Sequence, residues 1–354
     1  MRTDITLASK YRPRTFADIV GQQTTVKILE QQIKTGSGVN CYLFVGPAGT
    51  GKTTIARILA NTWNNGKGHP IEIDAASNNS VESVRQLVSQ AKQRSFESEY
   101  KVIIMDECHV LTNQAWQAFL KLLEEPPEFT KFIFCTTNPE KIPPAILTRL
   151  QTFTLSKVAD DLIVERLIYI LEQEANELFE GRDRAEFGDP PDYLYEDAAL
   201  RYIARLSGGS VRQAIANLEK CLSYNTEIYM DSVCKALGSG NYDTMTQFIT
   251  SIINYEVTNA LAYLENLYQE GKDPKTFIYD CLKYCLDIQK VKLNSGNLQY
   301  SSLPELTSVK ILLDTSSDLI IWMIESLSNL YEDIKYDNTP MPLIEISILK
   351  WCKQ

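Results

Sequence analysis

Short runs of apolar residues alternate with helix-like patterns over residues 1–157. The stretches with helical spacing are Thr53–Trp63, Val81–Arg94 and Gln114–Glu124. Five runs have the length and continuous apolar character of buried strands: Cys41–Val45, Ile71–Asp74, Val102–Asp106, Lys131–Cys135 and Thr152–Leu155. Apolar strands that alternate with helices are typical of a parallel sheet covered on both faces. The pattern therefore predicts an α/β domain with a five-stranded parallel sheet.

The strand pattern stops at about Val158, and helical spacing replaces it. It predicts helices over Asp160–Leu178, Glu196–Leu206 and Ser210–Leu222, with an exposed loop at Gly181–Asp192. Further on, apolar residues three and four positions apart mark one helix face: Leu319, Ile320, Met323, Ile324, Leu327, Leu330, Tyr331 and Ile334. We predict a small helical domain at residues 158–238 and an all-helical domain at residues 239–354.

Charge is divided unevenly between these parts. The 354 residues have a formal net charge of −10, which would ordinarily disfavour a nucleic-acid partner. Residues 1–157 hold 18 basic and 14 acidic side chains, so the acidic excess belongs to the helical remainder. DNA binding by the first domain is therefore not excluded.

Cysteine spacing and hydrophobicity exclude other classes of protein. The eight cysteines include no C-x-x-C pair, so neither a zinc signature nor a disulfide framework is predicted. No run approaches the roughly 18 apolar residues that span a bilayer, and the first residues lack the apolar core of a signal peptide. We expect a reducing, intracellular setting and no membrane partner.

Residues 46–53 form a phosphate-binding motif after a predicted strand and at the start of a predicted helix. Lys52 would reach the β- and γ-phosphates of a nucleotide, and the hydroxyl of Thr53 would coordinate Mg²⁺. Backbone N–H groups of the loop and the helix N-terminus would surround the phosphate oxygens. The residues that match G-x-x-x-x-G-K-[ST] are Gly46, Pro47, Ala48, Gly49, Thr50, Gly51, Lys52 and Thr53. The neighbouring Thr54 is also predicted to contact the nucleotide.

Polar residues follow two further strands. Asp106 suits a Mg²⁺ ligand, and Glu107 suits the group that polarises an attacking water. Thr137 and Asn138 follow the next strand, and the ends of neighbouring parallel strands meet at the ligand crevice. One of these two side chains would contact the γ-phosphate or the attacking water. The alternative is that they only cap the loop. Together with the phosphate loop, Asp106 and Glu107 predict ATP hydrolysis. His109, two positions after Glu107, is interpreted as structural.

The phosphate loop lies among several further segments. In chain order these are Tyr11-Arg12-Pro13, Val20-Gly21-Gln22, Asp106-Glu107-Cys108-His109, Leu122–Pro127, Thr136–Pro143, Ile146–Gln151 and Gly208–Ala214. Together with the loop they resemble the motifs of AAA+ clamp-loader ATPases, in particular the gamma/tau family of bacterial DNA polymerase III. In that family they correspond to the adenine-side motif, the D-E-x-H box, the E-E-P-P and T-T-N-P segments, the S-R-C motif and the second sensor. The resemblance covers residues 8–225 motif by motif.

The resemblance implies roles for further residues. Arg149 would act as an arginine finger on ATP held by a neighbouring subunit, the alternative being an ordinary surface arginine. Arg212 would contact the γ-phosphate from the small helical domain. The adenine side of ATP would be bound by Tyr11, Arg12, Pro13, Val20 and Gly21.

Two features depart from the family pattern. Its bacterial members carry a four-cysteine zinc module after the phosphate-loop helix, whereas Asn61–His69 contains no cysteine, so no zinc is expected. Thr148 and Leu150 replace the Ser and Cys of S-R-C, although Arg149 is retained. The chain also ends near the expected end of the collar domain. These features predict a short, divergent version of bacterial or viral origin.

A basic segment of the first domain is the candidate DNA contact. Asn78 and Asn79 lead into a predicted helix with Arg85, Lys92 and Arg94. Cations and a helix N-terminus suit phosphate contacts without base readout. An ordinary solvated helix face is the alternative.

The residues and the resemblance together predict an ATP- and Mg²⁺-dependent clamp-loader subunit of the cytoplasm of a bacterium or an infected host. The expected partners are a sliding clamp, other subunits in a ring of about five held by helical collars, primer–template DNA and, indirectly, the replicative polymerase. Two alternatives stay open. One is another DNA-processing AAA+ ATPase, such as a helicase loader or a branch-migration motor. The other is a non-hydrolysing scaffold subunit, which typically lacks the loop lysine or the strand-end acid that this chain retains.

Overall fold

The computed structural model describes residues 5–179, 194–237, 242–269, 271, 273–294, 303 and 307–353. Contacts divide the chain into two units, one of Met1–Glu174 and Ser207–Glu219 and the other of Ala175–Leu206 and Lys220–Gln354. The three-domain division of the sequence stays a prediction. Its boundary at residues 238 and 239 and the predicted loop Gly181–Asp192 lie outside the described residues.

A five-stranded parallel sheet forms the centre of the first unit, which confirms the predicted fold class. Its strands are β1 (Cys41–Val45), β2 (Ile71–Asp74), β3 (Lys101–Asp106), β4 (Thr130–Thr136) and β5 (Gln151–Thr154). The strand order is β2-β3-β4-β1-β5, and every neighbouring pair is parallel. Because β1, β4 and β3 are neighbours, the polar segments that follow them meet at one edge of the sheet.

Helices cover both faces of this sheet. One face packs Trp116, Phe119, Phe132 and Phe134 into a buried aromatic cluster, and the other buries residues such as Phe44. The helices of this part of the chain are α1 (Leu7–Lys10), α2 (Gln23–Thr35), α3 (Lys52–Trp63), α4 (Val81–Ala91), α5 (Asn113–Glu124), α6 (Pro144–Leu147) and α7 (Asp160–Phe179). Helix α7 continues from the first unit into the second.

Helix α4 is shorter than the predicted Val81–Arg94. Its N-terminus is capped by Ser80, whose Oγ accepts a hydrogen bond from the backbone N–H of Ser83 at 3.1 Å. It ends at Ala91, so Lys92 and Arg94 lie beyond the helix. The Arg94 guanidinium carbon lies 4.9 Å from the centre of the Phe129 ring, a tertiary contact that the helical spacing did not reveal.

The described residues after α7 lie mainly in helices, as the sequence predicted. Its helices are α8 (Asp197–Leu206), α9 (Val211–Tyr224, which begins in the first unit), α10 (Met230–Leu237), α11 (Tyr242–Ile253), α12 (Val257–Gln269), α13 (Pro274–Leu293), α14 (Thr307–Asp314), α15 (Ser317–Ile334) and α16 (Met341–Trp351). The predicted stripe lies on α15, where Ile320, Met323 and Leu327 are buried but Leu319 is exposed. No helix in the described ranges has both the length and the apolar character to cross a membrane.

Candidate functional site

The phosphate-binding loop connects β1 to α3, as its motif requires. Lys52 begins α3, and its side chain turns back to donate hydrogen bonds to the carbonyl oxygens of Gly46 at 2.8 Å and Pro47 at 3.0 Å. The Thr50 hydroxyl donates to the same Pro47 oxygen at 2.9 Å. The residue before the helix, Gly51, has a φ of 101°, which favours glycine. Local hydrogen bonds therefore fix the shape of the loop.

Two glycines allow other parts of the unit to approach this loop closely. A Cβ atom on Gly46 would lie 2.4 Å from the backbone oxygen of Leu155, which follows β5. A Cβ atom on Gly49 would lie 1.9 Å from the Ser210 Oγ and 3.4 Å from the Arg212 Cβ. The loop thus packs against the predicted second-sensor segment, and side chains at either glycine would prevent that approach.

The predicted Mg²⁺ ligands lie side by side. The Thr53 hydroxyl donates to Asp106 Oδ2 at 2.7 Å, and Asp106 Oδ1 accepts the Glu107 backbone N–H at 3.0 Å. Mg²⁺ prefers oxygen ligands and takes only one or two from protein, the others coming from water and phosphates. The hydroxyl–carboxylate pair fits that requirement. Among the described residues, no three His, Cys, Asp or Glu side chains are grouped as a metal site, and the expected absence of zinc stays a prediction.

Glu107 is held by residues that follow β3 and β4. Its φ of 47° lies in the left-handed region. Its Oε2 accepts a hydrogen bond from the Thr137 hydroxyl at 3.3 Å and lies 3.3 Å from His109 Nδ1. The same hydroxyl donates to Asn138 Oδ1 at 2.7 Å, so its single proton is shared between the two acceptors. His109, interpreted as structural from the sequence, therefore contacts the candidate catalytic carboxylate.

A cavity of about 200 Å³ extends from the phosphate loop. The predicted residues that line it are Tyr11, Arg12, Pro13, Val20, Ala48, Gly49, Thr50, Gly51, Lys52, Thr53, Thr54, Asp106, Glu107 and Arg212. Those that do not line it are Gly21, Gly46, Pro47, Thr137, Asn138 and Arg149. Gly46 and Pro47 instead accept hydrogen bonds from Lys52, and Thr137 reaches the site through Glu107.

Sequence reasoning missed a second group of lining residues. Arg166, on α7, donates a hydrogen bond from a guanidinium nitrogen to the Tyr11 backbone oxygen at 2.7 Å. Burial lowers the pKa of Arg166 and raises the pKa of Tyr11. The other missed residues are Ala8, Ile19, Ile55, Val211 and Ile215. No local pattern in α7 marks Arg166, because its contact joins residues 155 positions apart.

Arg149 lies outside the cavity of its own chain. Its guanidinium donates hydrogen bonds to the carboxylate of Glu124 and the backbone oxygen of Ala145. About 29% of its side chain is exposed. This geometry places the side chain near the E-E-P-P segment, and its action on a neighbouring nucleotide stays a prediction.

The five candidate DNA contacts lie on the surface. They are Asn78, Asn79, Arg85, Lys92 and Arg94. The Asn78 side-chain amide donates a hydrogen bond to the Asp74 backbone oxygen at 3.2 Å, which orients the loop between β2 and α4. Their DNA-binding role stays a prediction.

Sequence comparison shows the family. The chain is 31% identical over 309 residues to DNA polymerase III subunit gamma of Buchnera aphidicola subsp. Baizongia pistaciae, a match that covers 81% of this chain and 79% of that protein. The chain belongs to the DNA polymerase III gamma/tau family. It is also 31% identical over 376 residues to DNA polymerase III subunit tau of Bacillus subtilis. That match covers 97% of this gamma/tau chain and 62% of the longer relative.

Two family models match parts of the chain. A family model described as "DNA polymerase III, delta subunit" matches residues 69–159, and one described as "Magnesium chelatase, subunit ChlI" matches residues 15–107. The solved structure of the Thermotoga maritima RuvB Holliday junction branch migration motor has a TM-score of 0.50 at 19% identity, covering 75% of this chain and 87% of that one. At this identity the likeness shows a shared fold and nothing about function.

Proposed function

We propose that the protein is an ATP-hydrolysing clamp-loader subunit that helps to open a sliding clamp and place it on primer–template DNA. The observation that carries the proposal is one cavity in a gamma/tau family member that brings together a phosphate-loop lysine, two candidate Mg²⁺ ligands and a candidate water-activating carboxylate. Lys52, Thr53, Asp106 and Glu107 line one cavity, with the Thr53–Asp106 and Thr137–Glu107 hydrogen bonds in place. Membership of the family supports the clamp and the DNA as partners.

Each residue of this set has a task in the proposed reaction. The loop N–H groups and Lys52 would bind the phosphates, and Arg212 would contact the γ-phosphate. Thr53 and Asp106 would hold Mg²⁺, whose charge offsets the charge of the phosphates during transfer. Glu107 would accept a proton from the attacking water, and Thr137 would hold its carboxylate in place.

Arg149 is proposed to act on the nucleotide of a neighbouring subunit in a ring of about five. Its position outside its own cavity supports a role in trans, since the guanidinium is held instead by Glu124. A fixed positive charge suits the developing charge on a transferring phosphoryl group. Engagement of a neighbour would require exchange of the Glu124 partner for phosphate oxygens.

The helical region after residue 238 is proposed to hold the ring, and the first domain to contact DNA phosphates. The exposed positions of Arg85, Lys92 and Arg94 support such contacts. The proposed role places the protein in the cytoplasm of a bacterium or an infected host.

The test is the ATPase rate of the chain assembled with its partner subunits. Cognate clamp with primed template should stimulate turnover, whereas a four-way junction or a replicative helicase should not. Stimulation by the junction or the helicase would instead identify another DNA-processing ATPase. Absence of turnover under every condition would identify a scaffold subunit.

Two variants sharpen this assay. Lys52→Ala should abolish ATP-dependent clamp loading, and normal loading would overturn the mechanism. Arg149→Ala should leave ATP binding nearly unchanged while stopping hydrolysis in the assembly. A large loss of ATP binding by Arg149→Ala would contradict the action in trans.

A further inference from the structure

A buried carboxylate holds the N-terminal segment of the cavity. Glu174, on α7, is 7% exposed, and a buried glutamate is rare unless it is paired. Its Oε1 lies 2.5 Å from Lys10 Nζ and accepts a hydrogen bond from the Tyr11 hydroxyl at 2.8 Å. One carboxylate therefore binds two consecutive side chains of the segment that leads into the cavity.

The backbone of the same segment is held at two further points. Arg166 donates to the Tyr11 backbone oxygen from a position two turns earlier on α7. The Leu7 backbone N–H donates to Glu219 Oε1 at 3.0 Å. These contacts fix the segment by its side chains and its backbone, and all of them lie within the first unit.

This segment supplies part of the cavity lining that lies outside the phosphate loop. The other lining residues outside the loop are Asp106, Glu107, Arg166, Val211, Arg212 and Ile215. We call residues 48–55 the phosphate wall. We call the following residues the base wall: Ala8, Tyr11, Arg12, Pro13, Ile19 and Val20. When the phosphates of a nucleotide lie on the loop, its ribose and base must contact the rest of the lining. The position of the base wall therefore affects the affinity for the nucleoside part of the ligand.

We propose that Glu174 is a positioning residue for nucleoside recognition, which holds Lys10 and Tyr11 so that the base wall can contact the base and ribose. Glu174 does not line the cavity, so it acts through these two residues. The proposal rests on the proposed function, because it requires a nucleotide in this cavity. The proposal predicts that Glu174 affects the affinity for the nucleoside part of the ligand and has little effect on the affinity for its phosphates.

The experiment compares two ligands that share the phosphates and differ in the nucleoside. Dissociation constants of MgATP and magnesium tripolyphosphate are measured on the full chain by displacement of a fluorescent ATP analogue. The variant is Glu174→Gln, which keeps the shape of the side chain and removes its charge. The matched control is Glu172→Gln, an exposed carboxylate on the same helix.

Glu174→Gln should weaken ATP binding about tenfold, the size expected when a charged hydrogen-bond network loses its charge. Tripolyphosphate binding should change less than about twofold, and Glu172→Gln should change neither constant. Unchanged ATP affinity in Glu174→Gln would overturn the proposal. Equal losses for both ligands would also overturn it, because they would indicate general damage to the unit. Failure of the unmodified chain to bind ATP would instead reject the proposed function.

A second variant covers the case in which Glu174→Gln does not fold. Lys10 is partly exposed, so Lys10→Met should leave the unit folded, as checked by thermal unfolding. It removes one of the two partners of Glu174 and should weaken ATP binding severalfold, again with little effect on tripolyphosphate. Unchanged ATP affinity in folded Lys10→Met would count against the proposal as directly as the first variant.

Discussion

The phosphate wall and the base wall of the cavity are built in different ways. The phosphate wall is one continuous segment, and the Lys52 and Thr50 hydrogen bonds that shape it span three to six residues. The segment that carries most of the base wall is held by contacts between residues 155 to 212 positions apart. The first wall is therefore encoded locally, whereas the second exists only when α7 has packed against the N-terminal segment.

This difference predicts how each wall responds to substitution. Changes in the phosphate wall should affect every ligand that carries phosphates. Changes in the contacts of the base wall should affect only ligands that carry a nucleoside. Chemistry at the γ-phosphate should be separable from both, because Glu107 is held by Thr137 and His109, neither of which belongs to either wall.

The largest expected effect is on the rate of ATP hydrolysis, which a change at Glu107 should lower without altering binding at either wall. Glu107→Gln should lower the single-turnover rate of ATP hydrolysis by about 10²- to 10⁴-fold, because the amide is a poor proton acceptor. The dissociation constants for ATP and tripolyphosphate should stay within about twofold of the original values. Glu97→Gln, at an exposed site, is the control and should change neither quantity. A parallel loss of affinity would assign Glu107 to binding.

The next effect tests the phosphate wall. Lys52→Ala removes a charged donor and should weaken ATP binding about 10- to 100-fold. Because the lysine would contact only phosphates, tripolyphosphate should lose affinity by the same factor in the displacement assay. Lys34→Ala, which changes an exposed lysine on α2, is the control. A loss confined to ATP would contradict the distinction between the walls.

A third prediction concerns the close approach of the loop to the end of β5. Gly46→Ala would place a Cβ atom 2.4 Å from the Leu155 backbone oxygen, so the backbone must shift. We expect the free energy of unfolding to fall by about 1–3 kcal/mol, with weaker binding of both ligands.

Denaturant unfolding and the displacement assay check the Gly46→Ala prediction. Gly36→Ala is a useful comparison, since its φ is 66° but no atom lies within 4 Å of the added Cβ. It should lose stability through backbone strain alone and keep ligand affinity. Unchanged binding in Gly46→Ala would show that the loop tolerates displacement.

The two walls also differ in how far the sequence could predict them. The phosphate wall has a contiguous motif, and the structure places this motif between β1 and α3, as the sequence predicted. Its nucleotide-binding role stays a prediction, and Ile55 at its end was missed. Tyr11 and Val20 came only from the family resemblance. By spacing alone, Arg166 and Glu174 look like ordinary exposed charges on a helix, and only tertiary packing buries Glu174 and half-buries Arg166.

Two other differences between the predicted and the observed structure also lie where spacing along the chain gives too little information. The end of α4 was predicted three residues late, because helical spacing continues while Arg94 packs over Phe129. Leu319 fits the apolar stripe by spacing, yet it lies in the first turn of α15 and is exposed. Periodicity identifies an element and its buried face, but contacts with distant residues decide where the element ends and which charges it buries.

The smallest expected effect tests a single contact of the base wall. Tyr11→Phe removes the hydrogen bond to Glu174 and keeps the ring, so ATP binding should weaken by about two- to tenfold. Tripolyphosphate binding should not change.

Burial and the hydrogen bond to Glu174 raise the pKa of Tyr11 above its usual value of 10. The phenol therefore stays a donor through pH 8 to 9, and the difference between the two proteins should be constant over that range. Tyr224→Phe, at an exposed tyrosine, is the control. Equal ATP affinity in Tyr11→Phe and the original protein would count against the proposal that Glu174 positions the base wall through Tyr11.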